Sequence, residues 1–326
     1  MTTSARVVVF GSGGFVGAHV ADAVSAGGHT VVRATREIAD LADRSAIAAV
    51  LEPGDIVVNA AGYADVTDRS EHGVRRLRES NVLAVGNLAD AGLERGVSRI
   101  IHISSVAAMG RLTGSAITEA RRGPITTPYA QSKRDAEERL AGYADRLAVT
   151  VLRPTSVFGE GRGLAAALCR IARLPVIPLP GGGRDLIPFT DVGNVAAAVA
   201  VAIGQERTVG GTFIVGDDRS YPLVAIIREL AIALDRPSRT VPVPRTLVRL
   251  GADVSERLAG VMGRRTILDR TRAETMTTSV EYSIEAFRQA TGFVPPVALS
   301  TSARRIAAWY LQTRAAAASI GDSHGA

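Results

Sequence analysis

Arg6-Val-Val-Val-Phe10-Gly11-Ser-Gly-Gly14-Phe15-Val16-Gly17 decides the fold. Arg6–Phe10 is short, apolar and β-branched, as a strand buried on both faces tends to be. Glycines follow at 11, 14 and 17, and a helical pattern runs from Gly14 to Ala26. Glycine at these spacings permits a tight turn, close approach of a pyrophosphate and close packing of helix on strand. The free N–H groups of the helix's first turn favour an anion. Strand, glycine turn and helix in this order predict a dinucleotide site built from Gly11, Gly14, Phe15, Val16 and Gly17.

Outward from that stretch the pattern repeats. Further strands are predicted at Thr30–Ala34, Ile56–Asn59, Ile100–Ser104 and Val149–Arg153, and helices at Arg44–Leu51, Arg75–Arg95 and Tyr129–Leu147. Regular alternation of this kind predicts an α/β fold, a Rossmann-type doubly wound parallel sheet over residues 1–155. After Pro154 the texture changes: prolines at 175, 178 and 180 and the run Gly181–Gly183 interrupt the alternation. A smaller C-terminal α/β substrate domain is expected over 156–314, with 189–216 returning to the first domain through a strand at Thr212–Val215. The Ala-rich end, 315–326, reads as a flexible tail.

Composition narrows the function classes. The chain has 326 residues, a formal charge of +6 and only 4% aromatic residues. Its positive charge is scattered arginine without interleaved aromatics, which argues against nucleic acid as a partner. One cysteine, Cys169, excludes an intrachain disulfide and a cysteine-based metal site, and fits a reducing cytoplasm. No signal peptide and no apolar stretch of the roughly 18–20 residues that span a bilayer is seen.

The residues that carry chemistry lie at strand ends. Strand two runs into Arg33-Ala-Thr35-Arg36, where NAD-binding sheets carry an acid for the ribose hydroxyl. Arg33 or Arg36 there can fork onto a 2′-phosphate, so NADP(H) is favoured and NAD(H) is the second cofactor. Asp40-Leu41 is expected near the adenine amino group, and the sheet's usual third strand is nearly absent. Asn59-Ala60-Ala61-Gly62 closes another strand and lets backbone approach the cofactor. Asn81 opens a helical run, as a structural amide or a site residue. Ser104-Ser105 ends the fourth strand, where a hydroxyl can donate to a developing oxyanion. Tyr129-Ala-Gln-Ser-Lys133 then opens a helix, with phenol and ammonium on one face at i, i+4. A free tyrosine titrates near ~10, and a neighbouring ammonium brings the phenol closer to neutrality as an acid–base group. Together these predict hydride transfer beside a proton relay, with Ser105, Tyr129 and Lys133 as catalytic residues.

These residues resemble the extended short-chain dehydrogenase/reductase family, also called the NAD-dependent epimerase/dehydratase family. Besides the glycine turn and Pro128-Tyr129-Ala-Gln-Ser-Lys133, the match includes Leu152-Arg153-Pro154, Val157-Phe158-Gly159 and Gly292-Phe293-Val-Pro295. The resemblance implies a Ser105–Tyr129–Lys133 triad and cofactor contacts from Ser104, Asn81, Tyr129, Lys133, Pro154, Thr155 and Val157. It further implies a substrate site near Ser105, Val106 and Arg184, with Arg184 toward a diphosphate, and a homodimer. Val57–Val66 is similar to the same stretch of 4-keto-sugar reductases. The departures are Ala108-Met109-Gly110 for the family's Val-Tyr-Gly and Asp191-Val-Gly-Asn-Val195 for its His-Val-Asp-Asp-Val. The substrate expected is a small-molecule ketone, foremost a 4-keto nucleotide sugar. Epimerisation of a nucleotide sugar with NAD, reduction of a steroid- or polyketide-like ketone, and a non-catalytic NADP-sensing role are the other readings. Dehydration is disfavoured, since Val106 and Ala107 supply no acid or base.

Overall fold

In the computed structural model, residues 4–66, 68–161, 163–261 and 270–322 are described. The first half alternates β1 (Arg6–Phe10), α1 (Phe15–Ala26), β2 (Thr30–Ala34), α2 (Arg44–Val50) and β3 (Ile56–Asn59). It continues through α3 (Glu71–Leu77), a π-helical stretch Arg78–Leu83, α4 (Ala84–Arg95) and β4 (Arg99–Ile103). Then come the short β5 (Gly114–Ile117), α5 (Pro128–Ala141) and β6 (Val149–Pro154). The second half holds β7 (Ser156–Phe158), α6 (Gly163–Ala172), β8 (Val176–Pro180), β9 (Leu186–Ile187), β10 (Phe189–Asp191), α7 (Val192–Ile203) and β11 (Thr212–Val215). After these follow β12 (Tyr221–Pro222), α8 (Leu223–Ala233), β13 (Arg239–Val243), α9 (Arg245–Val261), α10 (Arg270–Met276), β14 (Val280–Tyr282), α11 (Glu285–Thr291) and α12 (Leu299–Asp322).

Six strands form one parallel sheet in the order β11-β6-β4-β3-β1-β2. Val7, Val8 and Val9 are fully buried, because successive side chains enter opposite faces and both faces are covered. On one face α1 and α7 pack Val20, Val24, Val199 and Ala202 against Val7, Val9 and Ile101. On the other, α2, α4 and α5 bring Ile47, Leu88 and Leu140 onto Val8, Val57 and Ile100. The sheet ends at β2, so the usual strand beyond it is missing, as the sequence suggested. β11 pairs with β6, which brings Thr212–Val215 back into this sheet.

The chain leaves β1 toward β2 on one side and returns with β3 on the other. Between the carboxyl ends of β1 and β3 therefore lies a crevice where such sheets bind ligands. A second core, with Leu168, Cys169, Ile177, Ile226, Leu230, Ile306 and Tyr310, joins α6, α8, α12 and β8. Cys169 is a buried structural thiol there, and burial pushes it up to about 11.

Several boundaries differ from the sequence reading: the helix expected at Arg75–Arg95 starts at Glu71 and passes through the π-helical stretch, and the strand expected at Ile100–Ser104 is Arg99–Ile103. Helix α5 stops at Ala141 rather than Leu147, with Gly142 as its C-cap. The presumed tail from 315 continues α12 to Asp322, consistent with the high helix propensity of its alanines. No described helix is long and apolar enough to cross a membrane.

Candidate active site

A cleft of about 440 Å³ opens at the crevice, lined among others by Gly11, Gly14, Thr35, Arg36, Asp40, Leu41, Ala60, Ala61 and Gly62. All nine were expected from sequence. Gly11 has φ +76, and a Cβ there would stand 2.6 Å from the Ala61 backbone, so only glycine lets the two strand-end turns meet. Gly14 N–H bonds Gly11 O at 2.9 Å, and Gly17 packs against that same carbonyl. The N-cap of α1, Gly14, offers no side-chain cap, and the first turn carries no acid. Its N–H groups are thus left for a phosphate, which is the fit a dinucleotide requires.

At the β2 end, Arg36 lines the cleft and pairs with Asp40 at 3.1 Å. The Ala42 N–H, and then Arg36, hold the Asp40 carboxyl below its ordinary value. Arg33 is not among the lining residues; its guanidinium is taken by Asp22 of α1. Glu37 lines the cleft beside Arg36, a carboxylate that the sequence reading did not place there. Tyr63, Arg76, Glu79 and Ser80 complete a wall the sequence did not announce.

Behind the cleft a buried hydrogen-bonded floor connects β3, β4 and α5. Asn59 Oδ1 accepts from Ala61 N–H at 3.1 Å, and its Nδ2 donates to His102 Nδ1 at 3.2 Å. That orientation leaves the imidazole proton on Nε2. Burial and the Lys133 charge hold His102 well below its usual value, so it stays neutral. Asn81 sits in the π-helical stretch; it accepts from Tyr63 N–H at 2.8 Å and donates to Tyr63 O and Ser132 Oγ, each at 2.9 Å. Such π-turns swing a side chain out of α-register, often at functional sites. Here it ties the β3 turn to α5.

Helix α5 begins with Thr127 capping Ala130 N–H at 3.1 Å and Pro128 in its first turn. Lys133, one turn beyond Tyr129, is buried and donates from Nζ to Ile103 O at 3.1 Å. A Cβ on Gly62 would stand 3.8 Å from that Nζ and 2.8 Å from Asn81 Oδ1, so the ammonium lies behind the Gly62 turn of the cleft wall. Ser105, Tyr129 and Lys133 are not themselves among the residues that line the cleft. Ser105 caps the turn Val106–Met109, its Oγ accepting from Ala107 N–H at 3.1 Å. Accepting that bond leaves the hydroxyl hydrogen to donate elsewhere. Arg134 of α5 donates to Ala108 O of the same turn at 2.9 Å and to Gly123 O, ahead of the helix, at 3.2 Å. Ser104 turns instead into the interior and donates to Glu137 Oε1 at 2.5 Å.

The remaining expected residues flank this centre. Phe15 packs beside Gly159 and edge-on to His19, and Val16 packs against the sheet core. Val106 is buried with Met109 and Ile117. Pro154 ends β6, Thr155 N–H bonds Val215 O at 3.2 Å, and Val157 lies in β7 beside Thr190. Arg184 is exposed beside the glycine run, next to the buried Asp185 that Arg245 grips at 2.8 and 3.1 Å.

Burial lowers Lys133 from 10.5 to about 8, partly opposed by Glu137. The unfolded chain therefore holds this proton more tightly than the folded one. Between about 8 and 10.5 the unfolded state carries more protons, so this group makes stability rise with pH across that window. Unfolding midpoints followed over that range should rise less steeply for Lys133→Met than for the wild type; equal slopes would contradict the burial argument.

Comparison with known proteins agrees with this architecture. A UDP-glucose 4-epimerase of Vibrio cholerae is 28% identical over 327 residues, covering 94% of this chain and 95% of its own. A 2-alkyl-3-oxoalkanoate reductase of Stenotrophomonas maltophilia is 27% identical over 331 residues, covering 93% and 98%. The solved structure of RMD from Pseudomonas aeruginosa complexed with NADPH aligns with a TM-score of 0.74 at 22% identity, covering 95% and 100%, and so shares the fold. Residues 7–216, with the glycine turn, the cleft and Lys133 inside them, match the NAD dependent epimerase/dehydratase family, to which this chain belongs.

Proposed function

We propose that the protein reduces a ketone with hydride from NADPH, and that its substrate is a 4-keto nucleotide sugar. The observation that supports this reading is the buried Lys133 ammonium behind the Gly62 turn of the cleft wall, one helical turn from Tyr129. A nicotinamide cofactor, held by the glycine turn and the start of α1, would supply the hydride. Tyr129 passes its phenolic proton to the substrate oxygen as charge develops there, and Ser105 donates a hydrogen bond to the same oxygen. Lys133 stabilises the phenolate left behind. Asn81 keeps the β3 turn, and with it Gly62, in register with α5.

Arg36 supports NADP(H), since a forked guanidinium suits a 2′-phosphate. Glu37 beside it works in the other direction, so NAD(H) is the second cofactor. Arg184, exposed at the glycine run, supports an anionic group such as a diphosphate on the substrate. The homodimer, as the family resemblance implies it, would form through α4 and α5.

The near full-length likeness to a UDP-glucose 4-epimerase favours a second reading, epimerisation with retained NAD. Purified protein mixed with NADPH or NADH and a panel of 4-keto nucleotide sugars and simple ketones separates the two. Oxidation of NADPH by a keto sugar is expected. Tight binding of NADH with hardly any of NADPH would overturn the cofactor preference. Conversion of a UDP-sugar to its C4 epimer without added cofactor would replace reduction by epimerisation.

A further inference from the structure

Three arginines stand at or near the cleft, and two of them have carboxylate partners. Arg33 is paired with Asp22, and Arg36 with Asp40. Arg76, on α3, lines the same cleft as Gly11, Gly13 and Gly14, and no described carboxylate lies within ion-pair distance of it. Its guanidinium lies 4.2 Å over the Tyr63 ring. Tyr63 is fixed in turn by the two backbone bonds from Asn81, so the platform beneath the guanidinium is held from behind.

Stacking uses the face of a guanidinium and leaves the N–H donors around its edge free. An arginine held flat on a ring is therefore pre-oriented to fork onto a tetrahedral anion. Arg76 is held in no ion pair among the described residues, although Glu79 shares its wall, and it faces a cleft whose glycine turn and uncapped helix start already suit a phosphate. An exposed arginine on a surface helix is usually free to wander; this one has a ring to rest on and a cleft to face.

We propose that Arg76, stacked on Tyr63, is a phosphate-binding residue of this cleft that grips a bound dinucleotide through its pyrophosphate or its 2′-phosphate. The inference rests on the cleft being a dinucleotide site. Arg76 is exposed on its helix, so replacing it should leave folding intact.

Equilibrium dissociation constants for NADPH and NADH, measured by fluorescence titration at low and high salt, test it. Arg76→Ala should weaken binding about tenfold or more, and the loss should shrink as salt rises. Arg76→Lys keeps the charge but not the fork and should fall between. Tyr63→Phe should bind as the wild type does, while Tyr63→Leu should lose part of the affinity with the platform. Equal losses for NADPH and NADH would assign the pyrophosphate; a loss confined to NADPH would assign the 2′-phosphate. Unchanged constants for both in Arg76→Ala would overturn the proposal while leaving the dinucleotide site standing. A wild-type protein that binds neither dinucleotide would overturn the dinucleotide site itself.

Discussion

Tyr129→Phe should lower kcat/KM by about a hundredfold or more while leaving dinucleotide affinity within about twofold of the wild type. The substitution keeps the ring and removes only the hydroxyl, so the packing of α5 and the Lys133–Ile103 bond have no reason to change. What disappears is the one group in this reading that can protonate the nascent alkoxide. Ser105 cannot replace it, because a serine hydroxyl is a hydrogen-bond donor there and a poor acid. Lys133, lowered by burial to about 8, has its Nζ held on Ile103 O behind the cleft wall. Steady-state rates and a separate binding titration distinguish the outcomes. Full turnover by the Phe variant would remove Tyr129 from the chemistry. Unchanged biological activity alongside lost turnover would instead favour a sensing role for the bound dinucleotide.

The parts of this site that were legible in sequence are those in which backbone conformation dictates residue type. Gly11 must accommodate φ +76 against the Ala61 backbone, and nothing but glycine does so. Val7–Val9 are buried from both sides, and their unbroken apolar run says as much. The strand ends at Ala60–Gly62 and Ser104-Ser105 follow once the strands are placed. Side-chain direction was less legible. Arg33 and Arg36 read alike as candidates for a 2′-phosphate, yet one pairs with Asp22 of α1 and the other faces the cleft. Glu37 and Arg76 come to the same cleft from segments about forty positions apart, and no periodicity announces that meeting. The π-turn that aims Asn81 at Tyr63 likewise leaves no trace in a helical pattern. Ser104 and Ser105 are neighbours with opposite fates, one in the interior and one capping a turn, since successive residues leaving a strand face opposite sides.

That interior serine leads to the prediction with the largest expected effect on stability. Arg153 and Glu137 form a two-pronged pair at 2.9 and 2.6 Å, with side chains only 3% and 12% exposed. Arg153 also donates to Glu119 O at 3.2 Å, and Glu137 accepts from Ser104 at 2.5 Å. Arg153→Leu would leave the part-buried Glu137 carboxylate with one direct hydrogen bond, from Ser104, and only the more distant charges of Lys133 and Arg122, a loss of about 3–5 kcal/mol. Denaturant or thermal unfolding should show a large drop in midpoint. The double variant Arg153→Leu/Glu137→Leu removes both charges, and because a buried pair often contributes little net stability, it should recover most of the loss. A double variant as unstable as the single one would mean that the bonds to Glu119 O and Ser104, rather than the stranded charge, set the cost. Either way the catalytic rate is a second readout. The pair fastens α5 to β6 one turn beyond Lys133, and Ser104 fastens the end of β4 to the same carboxylate. A double variant that refolds to full stability should still turn over slowly, because the apolar replacement restores burial but not the register between Ser105 and Lys133.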